Sequence, residues 1–113
     1  MGHCEMAIQH VVLWRFTTDL SEADRGEVRR RVETSSNDIG RMRELRFVRL
    51  VPAESTHGYQ YLMSMVFENE ADLANYMSHP IHIELAEWAI ARSCEFLYFD
   101  YNLEVATALR QPA

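Results

Sequence analysis

The chain has 113 residues, of which 48% are hydrophobic, so it has room for one domain with an ordinary core and none for a doubly wound nucleotide-binding domain. Its net charge of −6 argues against a nucleic-acid role built on phosphate contacts. All 11 basic residues are arginine, and the absence of lysine excludes Schiff-base chemistry, lysine-anchored pyridoxal phosphate and a P-loop.

The first predicted elements are a strand over 7–16 and a helix over 22–34. The strand has apolar residues on both faces, and one of these faces also carries His10. The helix follows an N-cap at Ser21 and has a narrow apolar stripe. A connection over 35–43 is expected to follow it.

The second half of the chain continues with two strands, a helix pair and a last strand. Asn69 is the predicted N-cap of the first helix of the pair, and Pro80 interrupts the pair because it suits only a first helical turn. The predicted elements are a strand over 45–51, a turn over 52–58, a strand over 59–67, helices over 70–77 and 80–92, and an aromatic strand over 95–101.

This order predicts the ferredoxin-like βαββαβ unit, an α+β fold with a four-stranded antiparallel sheet and helices on one face. The other face of the sheet is also apolar, which predicts a homodimer whose two sheets meet. Residues 7–101 form the expected domain. Residues 1–6 are expected to be an N-terminal extension, part of which is expected to come from expression. Residues 102–113 are expected to be a C-terminal tail.

Targeting signals are not evident. Cys4 and Cys94 are too few for a disulfide framework and are expected to be reduced. The chain lacks a leader pattern and any apolar run near ~20 residues. We therefore expect a cytoplasmic protein without membrane association.

The segment from Tyr76 to His82 carries the strongest chemical signal. Pro80 places His82 in the first turn of a new helix, where the helix dipole favours a neutral imidazole that can act as a base. Tyr76, one turn before the break, can donate a hydrogen bond to a carbonyl or enolate oxygen.

Structural roles compete with this interpretation. A histidine before proline, such as His79, is more often a capping residue, and His10 or His82 alone is more often a hydrogen-bonded structural histidine. Tyr61 alone is an ordinary core or interface aromatic residue. His79 and His82 lack the spacing of a metal-ligand pair and an obvious third ligand, so no metal site is predicted.

Four segments together resemble the stress-responsive dimeric α+β barrel (Dabb) family over roughly residues 7–101. They are the opening strand His10-Val11-Val12-Leu13-Trp14-Arg15-Phe16, the Gly58-Tyr59 pair, Tyr76 with His79-Pro80-Ile81-His82, and the ending Phe96-Leu97-Tyr98-Phe99-Asp100-Tyr101. The resemblance implies a dimeric α+β barrel.

In the branch of this family similar to olivetolic acid cyclase, a linear polyketide is folded by an aldol condensation without a metal or organic cofactor. This resemblance implies that Tyr76 and His82 are the catalytic pair and that His10 lines the pocket. The chain departs from that branch at Tyr61, where the cyclase has a histidine. We expect Tyr61, Trp14 and Trp88 to contact the ligand together with His10.

The predicted function is that of a small cofactor-independent enzyme, of cyclase or lyase type, which acts on a hydrophobic carbonyl-bearing molecule. His82 is the expected general base, Tyr76 the oxyanion donor and His10 an orienting group. One alternative is a non-catalytic stress-responsive oligomer or small-ligand binder. Another is a cofactor-free monooxygenase.

Overall fold

The computed structural model describes residues 6–103, in which helices cover one face of a four-stranded antiparallel sheet. The sheet has the strand order β2-β3-β1-β4, so β1 and β3 are central and β2 and β4 are the edges. The predicted ferredoxin-like fold is confirmed. In chain order the elements are β1 (Ile8–Phe16), α1 (Glu22–Ile39), β2 (Arg43–Arg49), a 3-10 turn (Glu54–Thr56), β3 (Tyr61–Phe67), α2 (Glu70–Ser78), α3 (Pro80–Ile90) and β4 (Cys94–Asn102).

The two faces of the sheet differ in how they are covered. On β1 every second side chain from Ile8 to Phe16 is buried, and these side chains form the inner face beneath the helices. The opposite, outer face carries side chains that are about half exposed. We call four of them the outer-face patch: Val48, Leu97, Phe99 and Tyr101.

Helix α1 is longer than predicted, because it ends at Ile39 and not at Thr34. Ser35 and Ser36 were expected to belong to a connection. Both are buried in the helix, where each hydroxyl donates a hydrogen bond to the carbonyl oxygen of Val32. These bonds satisfy the two buried hydroxyl groups, so both serines can lie inside the helix without an unpaired polar group. Gly40, with φ of 68°, ends the helix in the left-handed region.

The second and third strands also differ from their predicted bounds. Strand β2 begins at Arg43 and ends at Arg49, two residues earlier at each end than expected, and its register against β3 shifts between Arg43 and Arg46. Strand β3 begins at Tyr61 and not at 59. Alternation indicates these two strands but not their exact bounds, because the register of β2 is irregular near its start and a 3-10 turn lies between the strands.

Residues 1–5 and 104–113, which hold most of the predicted extension and tail, lie outside the described residues. Within residues 6–103, no helix is long and apolar enough to cross a membrane. Cys94 is buried, and burial raises the pKa of its thiol to about 12. This thiol is therefore protonated and unreactive at neutral pH. The cytoplasmic location that the cysteines suggested stays a prediction.

Candidate active site

A partly open cavity of about 220 Å³ lies between the inner face of the sheet and helices α2 and α3. Its wall is mainly apolar, with a few polar groups set into it. The apolar lining residues are Val12, Met63, Met77, Leu85, Ala86 and Phe96. The lining residues with polar atoms are His10, Trp14, Tyr76, His82 and Tyr98.

His10 lies on β1 and is 1% exposed. The register of the sheet places Asp100 of β4 directly opposite, and the Nδ1 atom of His10 is 2.5 Å from the Oδ1 atom of Asp100. A carboxylate can only accept, so Nδ1 carries the hydrogen of this bond. In the neutral imidazole, Nε2 is then the acceptor. Asp100 thus fixes both the orientation and the tautomer of His10.

Tyr76 lies near the end of α2 and is 2% exposed. The centroid of its ring is 5.8 Å from that of His10 and 5.3 Å from that of Phe67. Burial raises the pKa of the Tyr76 phenol far above its ordinary value. The phenol therefore keeps its proton throughout the neutral range and can act as a hydrogen-bond donor.

His82 owes its position to the break between α2 and α3. His79 caps α3, since its Nδ1 accepts a hydrogen bond of 3.2 Å from the backbone N–H of Ile81. Pro80 occupies the first helical position, where its missing N–H costs nothing. The chain then places His82 in the first turn of α3, with its ring centroid 4.4 Å from that of Tyr76.

The surroundings of His82 favour the neutral imidazole. Burial is the main cause that lowers its pKa, and the positive charge that His10 and His79 can carry adds to the effect, while the backbone of Met77 opposes it. Its Nδ1 atom is buried and has no hydrogen-bond partner within residues 6–103. A neutral imidazole with an unpartnered ring nitrogen can accept a proton from a bound molecule.

The cavity thus combines a neutral base, a neutral acid and an oriented imidazole within an apolar wall. A carbonyl group bound there can receive a hydrogen bond from Tyr76 while His82 removes a neighbouring proton. In the part of the chain that the structure describes, no three His, Cys, Asp or Glu side chains are grouped so that they could hold a metal ion.

The structure brings four of the six predicted site residues together: His10, Trp14, Tyr76 and His82 all line the cavity. Tyr61 and Trp88 do not line it. Tyr61 is buried against Phe47, with ring centroids 5.0 Å apart in a stacked arrangement. Trp88 lies on the helical side with the guanidinium groups of Arg31 and Arg92 over its ring, at 5.1 and 4.2 Å. Ligand contacts of Tyr61 and Trp88 stay predictions.

Sequence reasoning missed Asp100. The signal was present, because Asp100 follows Phe96 and Tyr98 at a spacing of two and so shares their face of β4. A carboxylate in an otherwise aromatic stripe requires a partner. That partner, His10, became evident only from the pairing of β1 with β4.

Comparison with known proteins connects this geometry to a family. The family model described as the stress responsive A/B barrel domain matches residues 8–103. Olivetolic acid cyclase from Cannabis sativa is 24% identical over 98 residues, which cover 86% of this chain and 97% of that protein. A stress-response A/B barrel domain-containing protein from Arabidopsis thaliana is 27% identical over 103 residues, which cover 90% of this chain and 94% of that protein.

Two solved structures with the same fold are more distant in sequence than these relatives. A hydroxynitrile lyase from Passiflora edulis superposes with a TM-score of 0.75 at 17% identity, covering 87% of this chain and 94% of that one. A dimeric ferredoxin-like protein of unknown function from Thermobifida fusca gives a TM-score of 0.74 at 14% identity, covering 87% and 92%. At these identities the likeness establishes the fold alone.

Proposed function

This chain belongs to the stress responsive A/B barrel domain family, and we propose that it is a cofactor-independent enzyme acting on a hydrophobic, carbonyl-bearing small molecule. The observation that carries this proposal is the meeting of His82, Tyr76 and His10 in one apolar cavity. The relative named olivetolic acid cyclase supports a cyclase-type reaction on a polyketide-like chain.

The proposed reaction begins with an enolisation. A ring nitrogen of His82 takes the proton from a carbon next to the bound carbonyl group, and the electron pair of the C–H bond moves into the carbonyl to form an enolate. The enolate oxygen accepts a hydrogen bond from the Tyr76 phenol, which is strengthened by the surrounding apolar wall. His10, held by Asp100, orients a polar group of the ligand.

Carbon–carbon bond formation follows in a molecule that has a second carbonyl group. The enolate carbon attacks this second carbonyl, and the resulting alkoxide takes the proton back from the His82 imidazolium. The ring closes as an aldol, and His82 returns to its neutral state. Both groups begin in the protonation state that the step requires, because burial lowers the pKa of His82 and raises that of Tyr76.

The cavity limits the size of the ligand. Its volume of about 220 Å³ lies below the range typical for drug-sized ligands, which begins near ~300 Å³. Tyr98, which is 56% exposed, stands where the cavity meets the surface. A small carbonyl-bearing molecule fits inside, and any part of a ligand that exceeds the cavity would leave past Tyr98.

Deuterium exchange tests the enolisation without knowledge of the natural substrate. Small methyl ketones and β-diketones are incubated in D2O, and the loss of their α-proton signals is followed by NMR. We expect the protein to accelerate exchange and the His82→Ala variant to lose ~10²–10⁴-fold of that acceleration. His57→Asn is the matched control, because His57 is exposed, does not line the cavity, and has a left-handed conformation that asparagine tolerates.

Two outcomes would contradict the proposal. One is that the protein accelerates exchange of none of these compounds, although it binds them; this would favour the small-ligand binder. The other is that His82→Ala exchanges as fast as His57→Asn.

We also propose that the protein is a homodimer joined through the outer-face patch. In the single chain Leu97, Phe99 and Tyr101 are each exposed by more than 40%, and they stand side by side on one edge strand. The solved neighbour from Thermobifida fusca is described as dimeric. A second copy of the sheet would cover these side chains.

Sedimentation of two charge variants tests this assembly. We expect the unmodified protein to sediment as a dimer and Phe99→Glu to sediment as a monomer. The control Ile90→Glu places the same charge on α3, where Ile90 is 58% exposed and away from the sheet, and should remain dimeric. A monomeric parent protein, or a dimeric Phe99→Glu variant, would contradict the proposed interface.

A further inference from the structure

Trp14 is the one cavity-lining tryptophan within residues 6–103, and its polar atom is unused. The side chain is 2% exposed, and its indole Nε1–H has no hydrogen-bond partner within the described part of the chain. A buried indole N–H normally finds an acceptor, because leaving the donor unpaired forfeits the hydrogen bond it made with water. This donor therefore requires an explanation.

Packing explains why an aromatic ring occupies this position, but not why the ring carries a polar nitrogen. The indole is held edge-on between Phe47 and Phe96, with ring centroids at 5.4 and 5.1 Å and interplanar angles of 72° and 81°. A phenylalanine ring could make such contacts without burying a donor. The nitrogen thus adds a polar function at a place where the fold needs only an apolar ring.

Trp14 and His10 occupy opposite ends of the cavity. Both point to the inner face of β1, and four residues of strand separate their Cα atoms by about 13 Å. The wall between them is apolar and includes Val12 and Met63. The cavity therefore has hydrogen-bonding groups at one end, an apolar middle, and at the other end a tryptophan whose unpaired donor is buried.

We propose that Trp14 is a specificity-determining residue that donates its indole N–H to an acceptor oxygen at the far end of the ligand. The ligand class is then an elongated apolar molecule with a carbonyl group at the His82 end and an ether, hydroxyl or second carbonyl oxygen at the Trp14 end. This inference rests on the proposed function, because it places the ligand in the same cavity.

Access to the nitrogen requires a local rearrangement. The indole Nε1 atom is almost fully buried. Met63, a diagonal neighbour of Trp14 across β1 and β3, lines the same cavity wall. An unbranched methionine side chain changes rotamer readily. In the proposed complex, a rotamer change of Met63 provides the space that the acceptor oxygen needs beside the indole nitrogen.

A matched pair of ligands tests the proposal. The compounds are 4-methoxyacetophenone and 4-ethylacetophenone, which have nearly the same shape and differ in the acceptor oxygen at the far end. Binding is measured by calorimetry with the unmodified protein and with Trp14→Phe, which keeps an aromatic ring and removes the donor. We expect the parent protein to prefer the methoxy compound by about fivefold to tenfold, and Trp14→Phe to bind both compounds equally.

The outcomes separate this inference from the proposed function. If the parent protein binds both ketones without preference, Trp14 does not read the far end of the ligand, while the carbonyl site stands. The same conclusion follows if Trp14→Phe keeps the preference of the parent protein. If neither ketone binds to the parent protein, the proposed carbonyl site fails together with the inference. The preference of the unmodified protein for the methoxy compound can be measured without the variant. The proposal therefore stays testable even if Trp14→Phe does not fold.

Discussion

The space between the sheet and the helices is built differently at its two ends. The packed end consists of Phe16, Phe47, Tyr61 and the α1 residues Val28 and Val32, all of them buried, and Phe47 is stacked on Tyr61. The cavity end, beneath α2 and α3, leaves about 220 Å³ unfilled and sets His10, Tyr76 and His82 into its wall.

This difference indicates that the packed end stabilises the fold and that the cavity end is retained for function. Filled, apolar packing stabilises a fold, whereas a void with buried polar groups costs stability and is usually retained for binding or chemistry. The helix break at Pro80 is part of that cost, since it ends α2 where a continuous helix could have extended. The four predictions below ask whether the packed end determines stability while the cavity end determines activity and its pH dependence.

The largest effect on stability is expected at the packed end. Phe47→Ala removes a ring that is stacked on Tyr61 and lies edge-on to Trp14, and it should lower the free energy of unfolding by about 3–5 kcal/mol. Urea denaturation followed by circular dichroism measures this change. A loss below about 1 kcal/mol would show that this end is not the better packed of the two.

A comparable effect on activity is expected at the cavity end. Tyr76→Phe removes one hydroxyl and leaves the ring, so it should reduce ketone α-proton exchange by ~10²–10³-fold, the usual effect of losing one oxyanion donor. Its urea midpoint should stay close to that of the parent protein. If Tyr76→Phe destabilises the fold and exchanges at the parental rate, the hydroxyl is a structural group.

The smallest effect is a shift along the pH axis. Burial lowers the pKa of His82. The exchange rate should therefore rise with pH, with the midpoint of the rise below the ordinary histidine pKa of 6.5, and should stay level above neutrality. The raised pKa of Tyr76 should keep the rate level to beyond pH 10. A midpoint above 6.5 would contradict the buried, neutral imidazole.

The same group affects stability in a defined direction. The unfolded chain binds a proton at His82 near the ordinary value of 6.5, whereas the folded protein binds it only at lower pH. Acidification below about 6.5 therefore favours the unfolded state. In a His82→Gln variant this contribution should be absent, so acidification below about 6.5 should lower the urea midpoint of the parent protein more than that of the variant. Midpoints that move in parallel would show that His82 does not contribute.

The sequence was sufficient to predict the fold and the proximity of Tyr76 to His82, because both depend on local patterns. Alternation revealed the strands, and Pro80 between His79 and His82 revealed the helix break that positions the base. The end of α1 was missed because Ser35 and Ser36 are stabilised by their own hydrogen bonds to Val32, which composition does not reveal.

The remaining parts of the site depend on strand pairing and helix placement. Asp100 meets His10 only because β4 lies beside β1 in one register. Tyr61 shares the inner face with Met63 but lies two residues before it, at the start of β3 and at the packed end, and so does not line the cavity. Alternation assigns a face of the sheet but not a position beneath a particular helix, so the sequence could not separate these residues.

An NMR titration with 4-methoxyacetophenone tests the central claim, that the cavity end is a ligand site, most directly. If it is, chemical shifts should move at Tyr76, His82 and Leu85, while those of Val28 and Val32 at the packed end stay in place. Changes confined to the packed end or to the outer-face patch, or none at ligand concentrations in the millimolar range, would contradict the claim.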